Sequence, residues 1–128
     1  MGQPVVHFEI VGKDPGQLRA YYGDLFGWQF AVGGDVAEGV SAPGTYGFVD
    51  KIPTPDGGGI PGGVAGGDGF ESKVLVYVGV SDVEAALSRA EELGGKRVLG
   101  PVQSPGSPLV VGHFTDPQGN LIGVAGVL

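Results

Sequence analysis

Few side chains in this 128-residue chain can do acid–base or metal chemistry, and two of them stand together near its start. His7 and Glu9 lie within residues 4–11, where Val6, Phe8 and Ile10 alternate with Val5, His7 and Glu9. That alternation is the period of a strand with one buried face. Residues i and i+2 of a strand point the same way, roughly 6–7 Å apart between Cα atoms. An imidazole and a carboxyl so placed can act as a hydrogen-bonded acid–base pair. They can also give two donors to a divalent cation, with His113 on a later strand as a third. These are the only two histidines, and there is no cysteine. A thiol nucleophile, a disulfide framework and a Cys-ligated metal are therefore excluded, and no Ser/His/Asp triad can be argued. Asp116 and Asn120 belong to an Asp-Pro-Gln-Gly-Asn run that reads as a hairpin turn.

The elements that must hold these groups come in two matching sets. After the strand over 4–11, Asp14-Pro15 reads as an N-cap with proline at the first helical position. Leu18, Tyr22 and Leu25, with Tyr21 and Phe26 alongside, give one apolar helical face, and Gly27 stops the helix. Strands follow over 28–32, 45–49 and 60–65. The order then repeats. A strand covers 73–80, with Val74, Val76, Val78 and Val80 on one face and Leu75 and Tyr77 on the other. Ser81-Asp82 caps a helix whose Ala86, Ala90 and Leu93 share a face, and Gly94-Gly95 ends it. Three strands over 96–99, 109–114 and 121–127 complete the set. Gly63-Val64-Ala65-Gly66 recurs as Gly123-Val124-Ala125-Gly126 at an offset of 60, and the first strands align at an offset of 68. The pattern predicts an internal duplication within one domain: module one over about 4–66, a linker over about 67–72 and module two over about 73–128. Two units are too few for a solenoid, so the halves are expected to pair face to face.

Composition sets outer bounds. Glycine and proline make up 37 of 128 residues, a share that often marks low complexity. Against that, 38 residues are Val, Leu, Ile or Phe, enough for a core. Eight glycines crowd residues 56–69, but no Gly-Lys-Ser/Thr follows, so the segment reads as a flexible hairpin and linker rather than a phosphate loop. The net charge of −7, with no Lys/Arg cluster, argues against nucleic acid and anionic membrane surfaces as partners. The start lacks the basic and apolar regions of a signal peptide, and the longest apolar run, over 74–80, is too short to span a bilayer. The expectation is a soluble cytoplasmic protein.

Several of these words occur in a recognisable order. His7-Phe8-Glu9-Ile10, Asp14-Pro15 and Tyr21-Tyr22-Gly23-Asp24-Leu25-Phe26-Gly27-Trp28 resemble the opening of the vicinal oxygen chelate superfamily, which includes glyoxalases, bleomycin resistance proteins and extradiol dioxygenases. Val80-Ser81-Asp82-Val83-Glu84-Ala85-Ala86, Glu92-Leu93-Gly94-Gly95 and Phe114-Thr115-Asp116-Pro117-Gln118-Gly119-Asn120 resemble its second half. The resemblance implies an α+β fold: two tandem βαβββ modules forming an open, curved mixed sheet around a cavity, with helices on the outer face. His7, Glu9, Leu75 and Tyr77 would then face the cavity, and the valines would pack on the helices. In metal-dependent members of the family, four inward positions supply a His/Glu set. Here they fall on His7, Gly63, Leu75 and Gly123, so His7 alone keeps a family ligand. No metal or other cofactor is expected on that count, a divalent cation needing Glu9 or His113 to step in.

Three functions follow. The first is a metal-independent small-molecule binder with an apolar, aromatic-lined cleft, drawing on His7, Glu9, Trp28, Phe48, Leu75, Tyr77 and His113, with Gly63 and Gly123 leaving space where carboxylates would stand. The second is an enzyme: a metal-dependent lyase or dioxygenase, or a metal-free isomerase or cyclase with His7 and Glu9 as catalytic pair. The third is an interaction module with a vestigial cavity. The resemblance also implies a homodimer.

Overall fold

Each predicted helix begins at an aspartate. In a computed structural model, which describes residues 2–34 and 36–127, the Asp14 side chain accepts from the Gln17 N–H. Helix α1 (Pro15–Phe26) runs from that cap to Gly27, whose φ of 72° is the left-handed end a glycine provides. Asp82 accepts from the Ala85 N–H and opens α2 (Val83–Glu92). Met1, Asp35 and Leu128 lie outside the described residues, and with Leu128 the final position of module two.

Eight strands accompany the helices: β1 (Val5–Gly12), β2 (Ala31–Val32), β3 (Gly47–Val49), β4 (Gly62–Gly66), β5 (Lys73–Gly79), β6 (Lys96–Gln103), β7 (Leu109–Thr115) and β8 (Leu121–Val127). They form one open mixed sheet in the order β2-β3-β4-β1-β5-β8-β7-β6. Each half is a βαβββ module, and the second repeats the first in mirror order about the centre. The halves therefore do not pair face to face. They join edge to edge through antiparallel β1 and β5, where Phe8 lies opposite Val76, His7 opposite Tyr77 and Glu9 opposite Leu75. Val76 is also the counterpart of Phe8 at the 68-residue offset, so a pseudo-twofold axis passes through that pair. Edge-to-edge joining pairs both inner strands and leaves only the short β2 and the bulged β6 as edges, the arrangement least open to further strand addition.

Helices α1 and α2 lie on one face, α1 against β4 and β1, α2 against β6, β7 and β8. Under α2, Val83, Leu87 and Val124 pack with Val80, Ala86, Val110 and Phe114. Leu87 is fully buried, whereas Leu93, assigned to that face by spacing, is exposed beyond the last turn. On α1 Leu25 and Phe26 are also exposed, because the helix meets the sheet along its Leu18–Tyr22 side. Val74 is exposed as well: the helices cover the outer strands more fully than the β1–β5 seam.

Three strands differ most from expectation in extent, and the one foreseen over 45–49 is only Gly47–Val49. The strand foreseen over 28–32 shrinks to Ala31–Val32, since Trp28 leaves the sheet plane to pack against Phe8, Tyr22, Phe26 and Phe30. Conversely, the strand foreseen over 96–99 continues to Gln103. Within the glycine-rich segment, the strand foreseen over 60–65 is β4, Gly62–Gly66, buried at every position. Among the described residues no helix is long and apolar enough to cross a membrane.

Candidate functional site

Opposite the helices, the sheet curves over a second core of Val11, Ala37, Val40, Tyr46, Ala65, Leu75, Tyr77 and Val111. Between this core and the rim lies a cavity of about 400 Å³, within the size range of small-molecule sites. The connection between β2 and β3, described over 33–34 and 36–46, roofs it from module one. Ser41 ties that roof down: its hydroxyl donates to the Gly66 carbonyl at 3.2 Å and accepts from the Gly66 N–H at 3.0 Å. Gly39 lies against Leu99 of β6, where a Cβ would meet a leucine methyl at 2.9 Å. The opposite rim comes from module two through Ser104, Ser107 and Leu109.

At the base of the cavity is Glu9, only 2 % exposed. Its carboxyl sits between two phenols: Tyr77 donates to Oε1 at 2.9 Å and Tyr46 to Oε2 at 3.0 Å. Each phenol oxygen also faces an imidazole. His7 Nε2 is 2.7 Å from Tyr46 Oη, and His113 Nε2 is 2.6 Å from Tyr77 Oη. A continuous chain His7–Tyr46–Glu9–Tyr77–His113 results. With both hydroxyl protons directed at the carboxylate, each imidazole completes the pattern as its Nε2–H tautomer.

Burial sets the charge states. It pushes the Glu9 carboxyl up to about 7, against the two phenol hydrogen bonds and the charge of Lys73, which favour ionisation. Burial pushes His7 and His113 down to about 4, so both are neutral at pH 7. Burial and the neighbouring Glu9 charge raise both tyrosines above the usual phenol range, so they remain donors. A carboxyl near neutrality in a concave apolar site is the pattern of a functional group.

The sheet register explains how these rings fit. Glu9 lies beside Gly63 on parallel β4, and Tyr77 beside Gly123 on parallel β8. A Cβ on Gly63 would run into the Tyr46 ring and hydroxyl, far inside the 3.0 Å limit of real contacts, and one on Gly123 would meet Tyr77 Cδ2 at 2.5 Å. The two glycines thus do not leave open cavity: their space is taken by the tyrosines that hold Glu9.

Of the residues singled out by sequence, His7, Glu9, Phe48 and Tyr77 line the cavity. His113 stands behind Tyr77 rather than on the wall, and Leu75 is buried in the core at 2 % exposure. Trp28 lies in the aromatic cluster under α1, on the other side of the sheet. Tyr46 was not anticipated, although it precedes Phe48 by two positions and alternation puts both on one face. The apolar walls contributed by Val36, Ala37 and Val40 also come from a loop with no periodic signal.

These donors do not fit a divalent cation. Among the described residues no three His, Asp or Glu side chains converge. Three of the four family positions carry Gly63, Leu75 and Gly123, which offer no donor. Glu9 keeps one free lone pair on each oxygen but is the one donor left there, because the Nε2 of His7 is already engaged by the Tyr46 hydroxyl.

The sequence profile of the Glyoxalase/Bleomycin resistance protein/Dioxygenase superfamily matches residues 5–124. No curated protein sequence matches. Among solved structures, Streptomyces coelicolor methylmalonyl-CoA epimerase in complex with 2-nitronate-propionyl-CoA is 15 % identical, with a TM-score of 0.67 over 98 % of this chain and 97 % of that one. Methylmalonyl-CoA epimerase from Mycobacterium tuberculosis is 15 % identical, with a TM-score of 0.61 over 97 % and 87 %. A hypothetical protein from Bacillus halodurans C-125 is 13 % identical, with a TM-score of 0.65 over 100 % and 96 %. At such identities the likeness shows the fold alone. With nearly its whole length matched by the profile, the chain belongs to the Glyoxalase/Bleomycin resistance protein/Dioxygenase superfamily.

Proposed function

We propose that this member of the glyoxalase/bleomycin resistance protein/dioxygenase superfamily is a metal-independent small-molecule-binding protein. The observation that carries the reading is the cavity of about 400 Å³, walled by aliphatic and aromatic side chains and closed at its base by one ionisable carboxyl, Glu9, between two phenols. Apolar walls supply affinity through area removed from water, and a few placed polar groups supply orientation. The positions that would supply a metal's carboxylates in the family are glycines covered by tyrosine rings, which supports recognition without a cation cofactor. That the superfamily hosts unrelated chemistries makes the site, not the fold, the basis of this reading. A homodimer is part of the proposal, checked by light scattering.

A second reading is favoured by one observation. Glu9, raised to about 7, has the pKa of a general base or acid at working pH, with His7 linked to it through Tyr46. Metal-free isomerisation is the matching reaction class, in which the carboxylate takes a proton from the ligand and returns it at another position.

The test combines metal analysis with a ligand screen. Untagged protein, dialysed against a chelator, is assayed for metal and screened against small apolar and aromatic metabolites by thermal shift, with Phe48→Ala as control. Ligands that raise Tm in chelator, and less so in the variant, support binding without metal. One tightly held divalent ion per chain, lost in His7→Ala, would overturn it. Turnover of a hit, abolished in Glu9→Gln, would move the conclusion to the second reading.

A further inference from the structure

We infer that the ligand of this cavity is a monocation: an ammonium or amidinium group on an apolar body, seated with its charge on Glu9. The inference rests on the small-molecule reading above and deepens it. Glu9 lines the cavity, yet no Lys or Arg side chain does, and among the described residues no ion pair reaches its carboxylate. A carboxylate has about four lone-pair sites. The two phenols use one on each oxygen, which leaves two for an incoming N–H donor. Taking a carboxylate out of water without a paired countercharge is costly; Lys73 acts on Glu9 without forming an ion pair, and the ligand's cation supplies the missing partner.

The surrounding surfaces suit a cation rather than a second anion. The rings of His7 and Phe48 lie 6.3 Å apart and nearly parallel, at 11°, and those of His7 and Tyr46 lie 6.4 Å apart at 17°. All three rings line the cavity, and aromatic surface of this kind attracts cations within about 6 Å. His7 and His113, both neutral by burial, add no positive charge to repel it. The chain's charge of −7 favours approach of a cation from solution. Size narrows the body: about 400 Å³ is the share of about 13 water molecules at roughly 30 Å³ each. A single aromatic ring with a short aminoalkyl arm fits, and a large polycation does not. Val6, Ala31, Val36, Leu109 and Ala125 offer the body apolar contact, and Ser104 and Ser107 add hydroxyls at the rim.

The experiment uses a matched series on one skeleton: phenylpropylamine, phenylpropanol and phenylpropionate, titrated calorimetrically into the full chain at about pH 8, where the amine keeps its proton. The amine is expected to bind about 10- to 100-fold tighter than the alcohol, the factor expected of a hydrogen bond to a charged acceptor, and the carboxylate weakest. In Glu9→Gln, which keeps shape and can still accept from one phenol, the preference for amine over alcohol should disappear. Because the comparison of amine with alcohol is made first in the unaltered protein, the result stands even where the variant folds poorly. Equal binding of amine and alcohol would overturn the monocation assignment and leave the small-molecule reading intact. Binding of none of the three, up to their solubility, would overturn both.

Discussion

Replacing Gly63 by alanine tests whether tyrosine rings really occupy the vacated positions. A Cβ at Gly63 would overlap the Tyr46 ring and hydroxyl, so Tyr46, which is 7 % exposed, must shift. Shifting it forfeits a hydrogen bond to a charged carboxylate, worth about 1.5–3 kcal/mol, and a neutral one to His7, worth about 0.5–1.5 kcal/mol. Overpacking strain adds about 1–3 kcal/mol. The expected loss is about 3–7.5 kcal/mol, a large part of the roughly 5–15 kcal/mol of a typical domain. The backbone of Gly63 is not in the left-handed region, so without the ring the same substitution should stabilise by about 0.4–1 kcal/mol through the unfolded chain. The sign should therefore reverse in a Tyr46→Val background, valine being the residue at the equivalent position of module two, Val111. Urea denaturation of the four proteins gives the cycle, and a coupling of about 3–8 kcal/mol is expected. A Gly63→Ala protein as stable as the parent, or one that loses the same amount in both backgrounds, would refute the account of the glycines.

Other outcomes follow from the same structure. Burial raises Glu9 from 4.5 to about 7, so between those values the folded state holds a proton that the unfolded chain has released, and stability falls as pH rises through them. The stability of the parent relative to Glu9→Gln should drop by about 3 kcal/mol from pH 4.5 to above pH 7, measured by chemical denaturation. His7 and His113 act in the opposite sense: lowered from 6.5 to about 4, they cost stability as pH falls from 6.5 to 4, so His113→Gln should flatten the acid limb of the Tm–pH curve. Leu87, at 0 % exposure, should cost about 2–5 kcal/mol on truncation to alanine, read from the urea midpoint. Zn²⁺ or Mn²⁺ added to chelated protein should leave its Tm unchanged, as scanning calorimetry would show.

Much of this architecture was legible in local signals. Alternation marked β1 and β5, aspartate caps marked both helices, Gly27 marked the end of α1, and the repeated Gly-Val-Ala-Gly words marked β4 and β8, the strands beside β1 and β5. The 68-position offset even aligned Glu9 with Tyr77. What stayed hidden depends on distant packing. Tyr46 reaches Glu9 across 37 positions, and the strand period cannot say which ring fills the space above a glycine. Gly63 and Gly123 accordingly looked like openings when they are sockets. Trp28 looked available to a ligand because its strand register seemed regular, but the aromatic cluster under α1 captures it and ends the strand early. Leu25 and Leu93 show the limit of helical spacing: periodicity defines a face, while the length of the partner sheet decides how much of it is covered. The cavity roof over 36–46 carries no period at all and is held by Ser41 on Gly66, a contact visible only in three dimensions.

The central claim is that a small molecule binds on the concave side of the sheet, at Glu9, without a metal. It is tested most directly by heteronuclear NMR of the full chain in excess chelator during titration with phenylpropylamine. Shift changes should saturate and concentrate on His7, Glu9, Tyr46, Phe48 and Tyr77, leaving Trp28 and the groove of Leu93 and Phe114 beneath α2 unmoved. Shifts centred on that groove, or binding that vanishes in chelator and returns with a divalent cation, would contradict it.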